Sequence, residues 1–406
     1  MRIAFVGPFG LRPKGTMSAR ALPLARALQQ RGHQVRLVLP PWNCPDDSGC
    51  AQESDGVQVV NVQLPGAYSP LWHAQITWRL LREVLAFQPE LVHCFKPKAF
   101  AGLTAWSLWH LRRLGLWHGA IAVDTDDWEG AGGWNEIGGY NALQRRFFAW
   151  QERWGLRHAD AVTTASTALQ TIIWSMGVPP SRVHYLPNGL NSDWPTASPA
   201  DGHAFRRRFA LGDVPLMLLY TRFFEFSVER VVDVLARVWG QVPQARLLII
   251  GEGLRGEERI MLDILEKRGL AQRTVYLGWV QPGELPAYLT AADVAIYPFD
   301  DTLINRTKCA AKLVDLLAAG VPVVADAVGQ NSVYIQQART GMLVPSGDTA
   351  AFAEAVIRLL RDEELRGEIR RCAQEHMRRN YRWQFLASVA ERAYRSCSTR
   401  SISARM

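Results

Sequence analysis

No apolar run in this chain of 406 residues approaches the roughly 18 needed to cross a bilayer. No secretory leader is apparent either, because Arg2-Ile-Ala-Phe-Val-Gly7 reads directly as a strand. The expected location is therefore cytoplasmic. Cysteine is sparse and scattered, at 44, 50, 94, 309, 372 and 397, with no CxxC pair and no histidine at metal-ligand spacing. Cys44 and Cys50, the only close pair, read as two free thiols on a loop, and no structural metal is expected. The GxGxxG turn of dinucleotide folds is also lacking: Gly7, Gly10 and Gly15 have other spacing, and no acid ends the strand Val35 to Leu39. Nicotinamide and flavin chemistry are therefore not expected. The net charge of +8 invites a nucleic-acid partner, but most arginines are dispersed and no recognised module is present, so none is expected.

What is present is a globular composition, 48% hydrophobic and 21% charged, in a chain too long for one compact core. Two runs of alternating strands and helices account for it. The first begins with strand Ile3 to Gly7, the loop GPFGLRPKG and a helix near Ser18 to Gln30 that ends at Gly32. Strands follow at Val35 to Leu39, Glu90 to His93, Ala120 to Val123 and Ala161 to Thr164, and Pro40 to Gly56 reads as a polar loop. A boundary rich in Pro, Ser, Asp and Gly spans Pro195 to Gly202. The second run has strands at Leu216 to Tyr220, Arg246 to Gly251, Val275 to Leu277 and Val294 to Tyr297. Its helices are at Val228 to Val238, Glu257 to Arg268, Glu284 to Ala291, Thr349 to Leu360 and Glu364 to Arg378. Repeated βα units imply an α/β chain of two doubly wound, Rossmann-like domains facing a cleft. The expected bounds are 1–198 and 203–380, with 381–406 as a crossing helix and tail.

The most informative stretch is NRTKCAAKLVDLLAAGVPVVAD, Asn305 to Asp326. A cationic loop leads from a strand into a helix near Cys309 to Ala319, which stops at Gly320, and a buried strand follows. In a βαβ crossover the ligand lies beyond the carboxyl end of the strand. Thr307 can cap the helix, so that the Cys309 and Ala310 amides and the Lys308 side chain face an anion. Asp315, further along, can accept from a pair of hydroxyls. Phosphate ahead of a diol outlines a nucleotide. The plainer alternative is a solvated basic loop, with Asp315 paired to Lys312.

Two further segments carry chemistry-bearing residues. RRFFAWQERWGLR, Arg145 to Arg157, reads as a helix with basic residues beside bulky aromatics, which can lie on an anionic membrane surface. The commoner outcome, and the expectation here, is that it packs its aromatics inward and solvates its arginines. In the cluster Asp124-Thr-Asp126-Asp127, the last two aspartates are the catalytic candidates, on a loop that orients acceptor or sugar. His93, at a strand end, and Trp128 are candidates for acceptor contact, with core packing as the alternative for both.

In order along the chain, PNGL at Pro187 to Leu190, Tyr220-Thr-Arg222, Leu248-Ile-Ile-Gly-Glu-Gly253, Leu277-Gly-Trp-Val280, Ala292-Asp-Val-Ala-Ile-Tyr-Pro298 and LVDLLAAGVPVVA resemble motifs of GT-B glycosyltransferases, closest to family 4. The resemblance implies transfer of a sugar from a nucleoside diphosphate sugar, with retention, no cofactor and no bound metal, to a sugar or lipid-linked acceptor. It places donor contacts at Arg222 for the diphosphate, Asp315 for the ribose and the Val280 backbone for the base. The GxG turn at Gly251 and Gly253 belongs to the same site, and Gly15 could bring its backbone to the diphosphate. Peripheral membrane contact, on the inner face, would suit a lipid acceptor. The chain also departs from the pattern. Thr307 stands eight positions before Asp315, where many members carry glutamate, and the lysine expected shortly after Arg222 is missing. Lys308 or Arg306 could replace that charge; otherwise the chain is a non-catalytic GT-B-like partner subunit.

Overall fold

The computed structural model describes residues 1–12, 15–66, 71–190 and 198–403. Residues 195–197 of the expected interdomain boundary, and Pro13 and Lys14 of the first loop, lie outside the described residues. Two compact units emerge. One comprises Met1–Ser192, Thr307–Cys309 and Arg382–Met406, and the other Asp193–Arg306 and Ala310–Tyr381. Tyr381 stays with the second unit because its ring packs on Tyr334, with centroids 4.7 Å apart.

The first unit holds β1 (Arg2–Val6), β2 (Gln34–Leu39), β3 (Ala51–Ser54), β4 (Val57–Asn61), β5 (Leu91–Phe95), β6 (Ala120–Thr125), β7 (Ala161–Thr164) and β8 (Val183–Tyr185), in sheet order β3-β4-β2-β1-β5-β6-β7-β8. Every pairing is parallel except β3 with β4. That hairpin corrects the reading of Pro40 to Gly56 as loop. Asp55 and Gly56 both have positive φ, +50° and +79°, the turn that joins antiparallel strands tightly. The polar pattern of β3 reflects an exposed edge strand.

The second unit holds β9 (Leu216–Tyr220), β10 (Arg246–Ile250), β11 (Thr274–Tyr276), β12 (Val294–Tyr297), β13 (Val323–Asp326) and β14 (Met342–Val344), all parallel, in order β11-β10-β9-β12-β13-β14. β9 and β10 are almost uninterrupted apolar runs because helices cover both faces of such a sheet. The helix Val228–Gln241 shows how its own sequence seats it. Ser227 caps it by accepting from the Arg230 amide, and Val231, Val232, Leu235, Val238 and Trp239 recur at helical spacing and are buried. Each such side chain contributes roughly 1.5–3 kcal/mol.

After Tyr381 the chain returns to the first unit as the helix Trp383–Ser403. Its Trp383, Leu386, Ala390 and Tyr394 share a core with Ile3, Phe5, Leu24 and Leu28. The basic, aromatic helix runs from Ala142 to His158 and does not pack as expected. Leu143, Phe147 and Trp150 are 78%, 39% and 43% exposed, beside solvated Arg145, Arg146, Arg153 and Arg157. The buried positions of this helix go instead to Gln151, Glu152, Gly155 and Leu156, and the two polar ones brace loops described below.

Candidate active site

In the second unit, four predicted residues follow the carboxyl ends of three neighbouring strands, Arg222 after β9, Gly251 and Gly253 after β10, and Val280 after β11. Arg222 follows β9 directly and is exposed, its guanidinium 5.7 Å from the Phe224 ring centroid. Gly251 follows β10 with φ +117°, and a Cβ there would sit 2.0 Å from the Thr221 carbonyl oxygen and 3.6 Å from Lys312 Nζ. Only glycine fits. The Gly251 amide donates to the Gly278 carbonyl (2.7 Å), and the Gly253 amide to Glu258 (2.8 Å), which shapes the GxG turn. Val280 follows β11, half-buried, in the next connection.

Asp315 is buried on the helix Ala311–Ala319, close enough to Tyr220 for its charge to add to burial in pushing that phenol well up. Lys312, one helical turn earlier, aims its ammonium at the sheet. Nζ donates to the Thr221 carbonyl (3.0 Å) and lies 4.0 Å from the Tyr220 ring centroid. The sequence reading paired Lys312 with Asp315 only as an alternative and missed this placement. The signal was available, since residues three apart on a helix share a face. Arg306, one proposed replacement for the missing charge, is instead held by Asp301 through two hydrogen bonds at the surface. Arg230 is likewise committed to Asp326 and Asp300.

The expected cap at Thr307 is overturned. Thr307 ends a separate short helix, Leu303–Thr307, and the next helix starts at Ala311, with Ala310 (φ −74°, ψ 112°) as a cap residue that makes no side-chain bond. The Cys309 amide therefore lies outside the helix, and Cys309 is buried within the first unit. There the Asn188 amide donates to Cys309 Sγ (3.3 Å), and Asn188 Nδ2 to its carbonyl (2.7 Å). The Thr307 carbonyl accepts from the Ser166 hydroxyl (2.6 Å). Lys308 between them is half-buried.

The first unit places its charged groups after β5 and β6. Arg20, fully buried, forks onto Asp124 (Nε–Oδ1 2.8 Å, Nη2–Oδ2 2.6 Å) and donates to Asn188 Oδ1 (3.2 Å). Burial alone would lower the Arg20 pKa, but the Asp124 charge and hydrogen bonds outweigh it and the net direction is up. Thr163 donates to Asp124 Oδ2 (2.5 Å), so its oxygen accepts from His93 Nε2 (3.1 Å), which leaves His93 Nδ1 to accept from the Tyr394 hydroxyl (2.8 Å). Burial, with Arg20 nearby, lowers the His93 pKa to about 3. His93 is thus a neutral structural histidine within β5, not an acceptor contact. The run LVHCF, apolar on both sides, was its signal.

Asp126 and Asp127 follow β6. Lys96, after β5, places one ammonium 2.9 Å from Asp126 Oδ1, 3.0 Å from Asp127 Oδ2 and 3.3 Å from Glu129 Oε1, and Lys98 lies 2.7 Å from Glu129 Oε2. Thr16, on the turn opened by Gly15, donates to Asp126 Oδ2 (2.5 Å). Gly15 therefore lies near this loop, with its amide given to Ser18 Oγ (2.9 Å). Burial favours the neutral form of Asp126, but Lys96 and Thr16 prevail and its pKa falls. Burial, with Asp126 and Glu129 adding, raises Asp127 despite Lys96. Glu152, pushed up to about 8 by burial and then by Glu129, accepts from the Glu129 amide (3.1 Å), and Gln151 accepts from the Ala99 amide (2.8 Å). Trp128 does not present its ring for stacking. It is 7% exposed and folds over Gly130 and Gly133, with Nε1 donating to the Ala131 carbonyl (2.9 Å).

Residues 15–189 match the Glycosyl transferase 4-like domain, and residues 216–362 match Glycosyl transferases group 1. The chain is 26% identical over 405 residues to the phosphatidyl-myo-inositol mannosyltransferase of Mycobacterium leprae, covering 98% of each. It is 24% identical to the 2-deoxystreptamine N-acetyl-D-glucosaminyltransferase of Streptomyces fradiae, covering 86% of this chain and 83% of that one. Among solved structures, sucrose-phosphate synthase from Thermosynechococcus elongatus aligns with TM-score 0.74 at 21% identity over 97% and 98% of the chains. An Anabaena protein in complex with UDP and glucose aligns with TM-score 0.71 at 17% identity over 96% and 98%.

Proposed function

Because the chain belongs to the glycosyl transferases group 1 and is a GT-B glycosyltransferase, we propose that it moves a sugar, with retention, from a nucleoside diphosphate sugar bound by the second unit to a hydroxyl of a lipid-linked acceptor. The observation that carries the donor assignment is the gathering of Lys312, Gly251 and Asp315 about Tyr220 and Thr221 at the carboxyl end of β9, with Arg222 the next residue in the chain. As the bond between the anomeric carbon and the diphosphate breaks, negative charge grows on the departing phosphate, and fixed cations stabilise it there. Arg222 and Lys312 fill that role in place of a metal, with Lys312 as the missing lysine restored from the helix. Asp315 accepts from the ribose hydroxyls, and the Val280 backbone meets the base.

Calorimetry against UDP, GDP, ADP, CDP and dTDP tests this. GDP comes first, because a 26% identical relative from Mycobacterium tuberculosis is named as GDP-mannose-dependent. One nucleotide should bind, and Asp315→Ala should weaken it roughly 10- to 100-fold, as expected for loss of a charge-assisted hydrogen bond. Unchanged affinity in that variant removes Asp315 from the site.

The lipid-linked acceptor is supported by the phosphatidylinositol named in two relatives and by the exposed face of the helix Ala142–His158. Among the described residues no helix is long and apolar enough to span a bilayer, so contact would be through this amphipathic face. Sedimentation with phosphatidylglycerol-containing vesicles should retain the protein at low salt. Replacing Leu143, Phe147 and Trp150 together by serine should release it. Equal pelleting of both proteins discards the assignment.

A further inference from the structure

The chain has only six lysines among 46 basic side chains, yet two of them stand together after β5, where the structure sinks both into carboxylates. We infer that Lys96 is the positioning residue of the acidic loop after β6: its one ammonium clamps Asp126 and Asp127 in a fixed arrangement and leaves Asp127 to face the acceptor. This rests on the proposed transfer reaction and on the place of these two carboxylates in it.

Four observations carry it. First, the ammonium lies within 3.3 Å of three carboxylates supplied by one loop, Asp126, Asp127 and Glu129. An ammonium donates in three diverging directions from a single point, whereas a guanidinium spreads its donors over a plane. In a chain that uses arginine almost everywhere else, the compact cation is the one that fits. Second, Lys96 holds φ +55°, a left-handed conformation costly for a side-chain-bearing residue, at a strand end. Its amide donates to the Asp124 carbonyl (2.9 Å), and its carbonyl accepts from the Lys98 amide (2.6 Å). The backbone is thus bent to deliver this side chain. Third, the two aspartates are not equivalent. Asp126 is held on both sides, with Oδ2 accepting from Thr16 and buried Oδ1 paired by charge with Lys96. Asp127 has Lys96 on Oδ2 alone, and its side chain keeps 22% exposure.

Fourth, the surroundings leave the pair dependent on this lysine. The charged groups that face it are Arg20 from the first helical turn, Asp124 from β6, Glu129 from the same loop, Lys98 from the β5 connection, and Glu152 from the helix Ala142–His158. Arg20 is occupied by Asp124, and Lys98 by Glu129 together with the rings of Tyr140 and Phe148, 4.4 and 4.9 Å away. Glu152, its carboxyl pushed up to about 8 by burial and then by Glu129, is mostly protonated at neutral pH and is no cation. Lys96 is therefore the cation that faces both of these adjacent, half-buried carboxylates. Without it their mutual repulsion and desolvation favour protonation, so both carboxyl pKa values rise.

The test compares Lys96→Met, Lys96→Arg, Lys98→Met and Asp127→Asn. Carboxyl titrations of aspartate-labelled protein, followed by carbon-13 NMR, need no ligand. They should show the Asp126 carboxyl rising by roughly 1–3 pH units in Lys96→Met and holding near the native value in Lys96→Arg and Lys98→Met. With GDP-mannose and UDP-glucose as donor probes, the acid limb of turnover should move up in parallel in Lys96→Met. Lys96→Arg should keep the native limb but lose about tenfold in kcat, because the planar fork cannot reach all three carboxylates. A lysine that merely supports the fold would lower turnover equally at every pH and leave the limb in place, and that result overturns the inference. Should Lys96→Met not fold, Lys96→Arg decides it, since native kcat in that variant is also contrary. Asp127→Asn separates the two levels. If it turns over donor as well as the native enzyme, the placing of these carboxylates in the reaction fails. If it is inactive while Lys96→Met keeps the native limb, only the role of Lys96 fails.

Discussion

Arg20→Met is expected to lose about 3–5 kcal/mol of stability, the usual result of removing one partner from a buried ion pair. Arg20 and Asp124 are almost wholly enclosed, with side-chain exposures of 1% and 0%. Methionine fills much of the volume but leaves Asp124 with only the Thr163 hydroxyl to face its charge. The deficit should depend on pH in a definite sense. Lacking its cation, Asp124 in the folded variant titrates above the unfolded carboxyl, so the folded state binds the extra proton. Stability of the variant then falls as pH rises through that interval, and its gap to the native protein is smallest in acid. Urea denaturation at several pH values measures this. Adding Asp124→Asn to Arg20→Met should recover part of the loss by removing the orphan charge. A deficit below 1 kcal/mol at pH 7, or no recovery in the double variant, contradicts this account.

Gly251→Ala is expected to be as severe for a different reason. A methyl group there meets the Thr221 carbonyl oxygen at 2.0 Å, and φ +117° is itself strained for alanine. Strain of this kind costs roughly 1–3 kcal/mol, and it is relieved only by moving the Thr221 carbonyl or the GxG turn. Because that carbonyl holds Lys312 Nζ at 3.0 Å, either movement displaces a cation proposed to meet the diphosphate. A shift near 1 Å in a positioned group can cost on the order of 100-fold, so nucleotide affinity should fall by that factor even where the variant folds. Calorimetry and a thermal melt on the same sample separate the two effects. Gly240→Ala, where a Cβ would meet nothing within 4 Å, provides the neutral comparison.

Much of the architecture was legible because parallel strands between helices are apolar throughout. LMLLY, RLLII and VAIY need no partner to be recognised as buried. The strands missed were β3, β4, β8 and β14, and the helix Pro199–Arg208 begins inside the stretch read as a boundary. Two are three-residue strands and one is a polar edge, where burial leaves little imprint on the residue pattern. The basic, aromatic helix shows the opposite failure. Its ring content suggested a core face, but its buried places go to Gln151 and Glu152, which brace loops, and to Gly155 and Leu156.

The sequence alone determined the α/β class, the two Rossmann-like sheets and, through the resemblance of its ordered motifs, the GT-B glycosyltransferase type. It also placed Arg222 and Gly251 just beyond strand ends and Asp315 on a helix. The class and the sheets follow from local periodicity and the strand-end turns from glycine, all written in consecutive residues, whereas the family rests on the resemblance of the motifs. Which cations face which carboxylates was decided by the tertiary structure alone. Lys312 reaches Thr221 across 91 positions, Arg20 reaches Asp124 across 104, and Lys96 reaches its loop across about thirty. Coulomb attraction and desolvation act on distance in space, and no pattern of neighbouring residues encodes a distance set by how strands are ordered in a sheet.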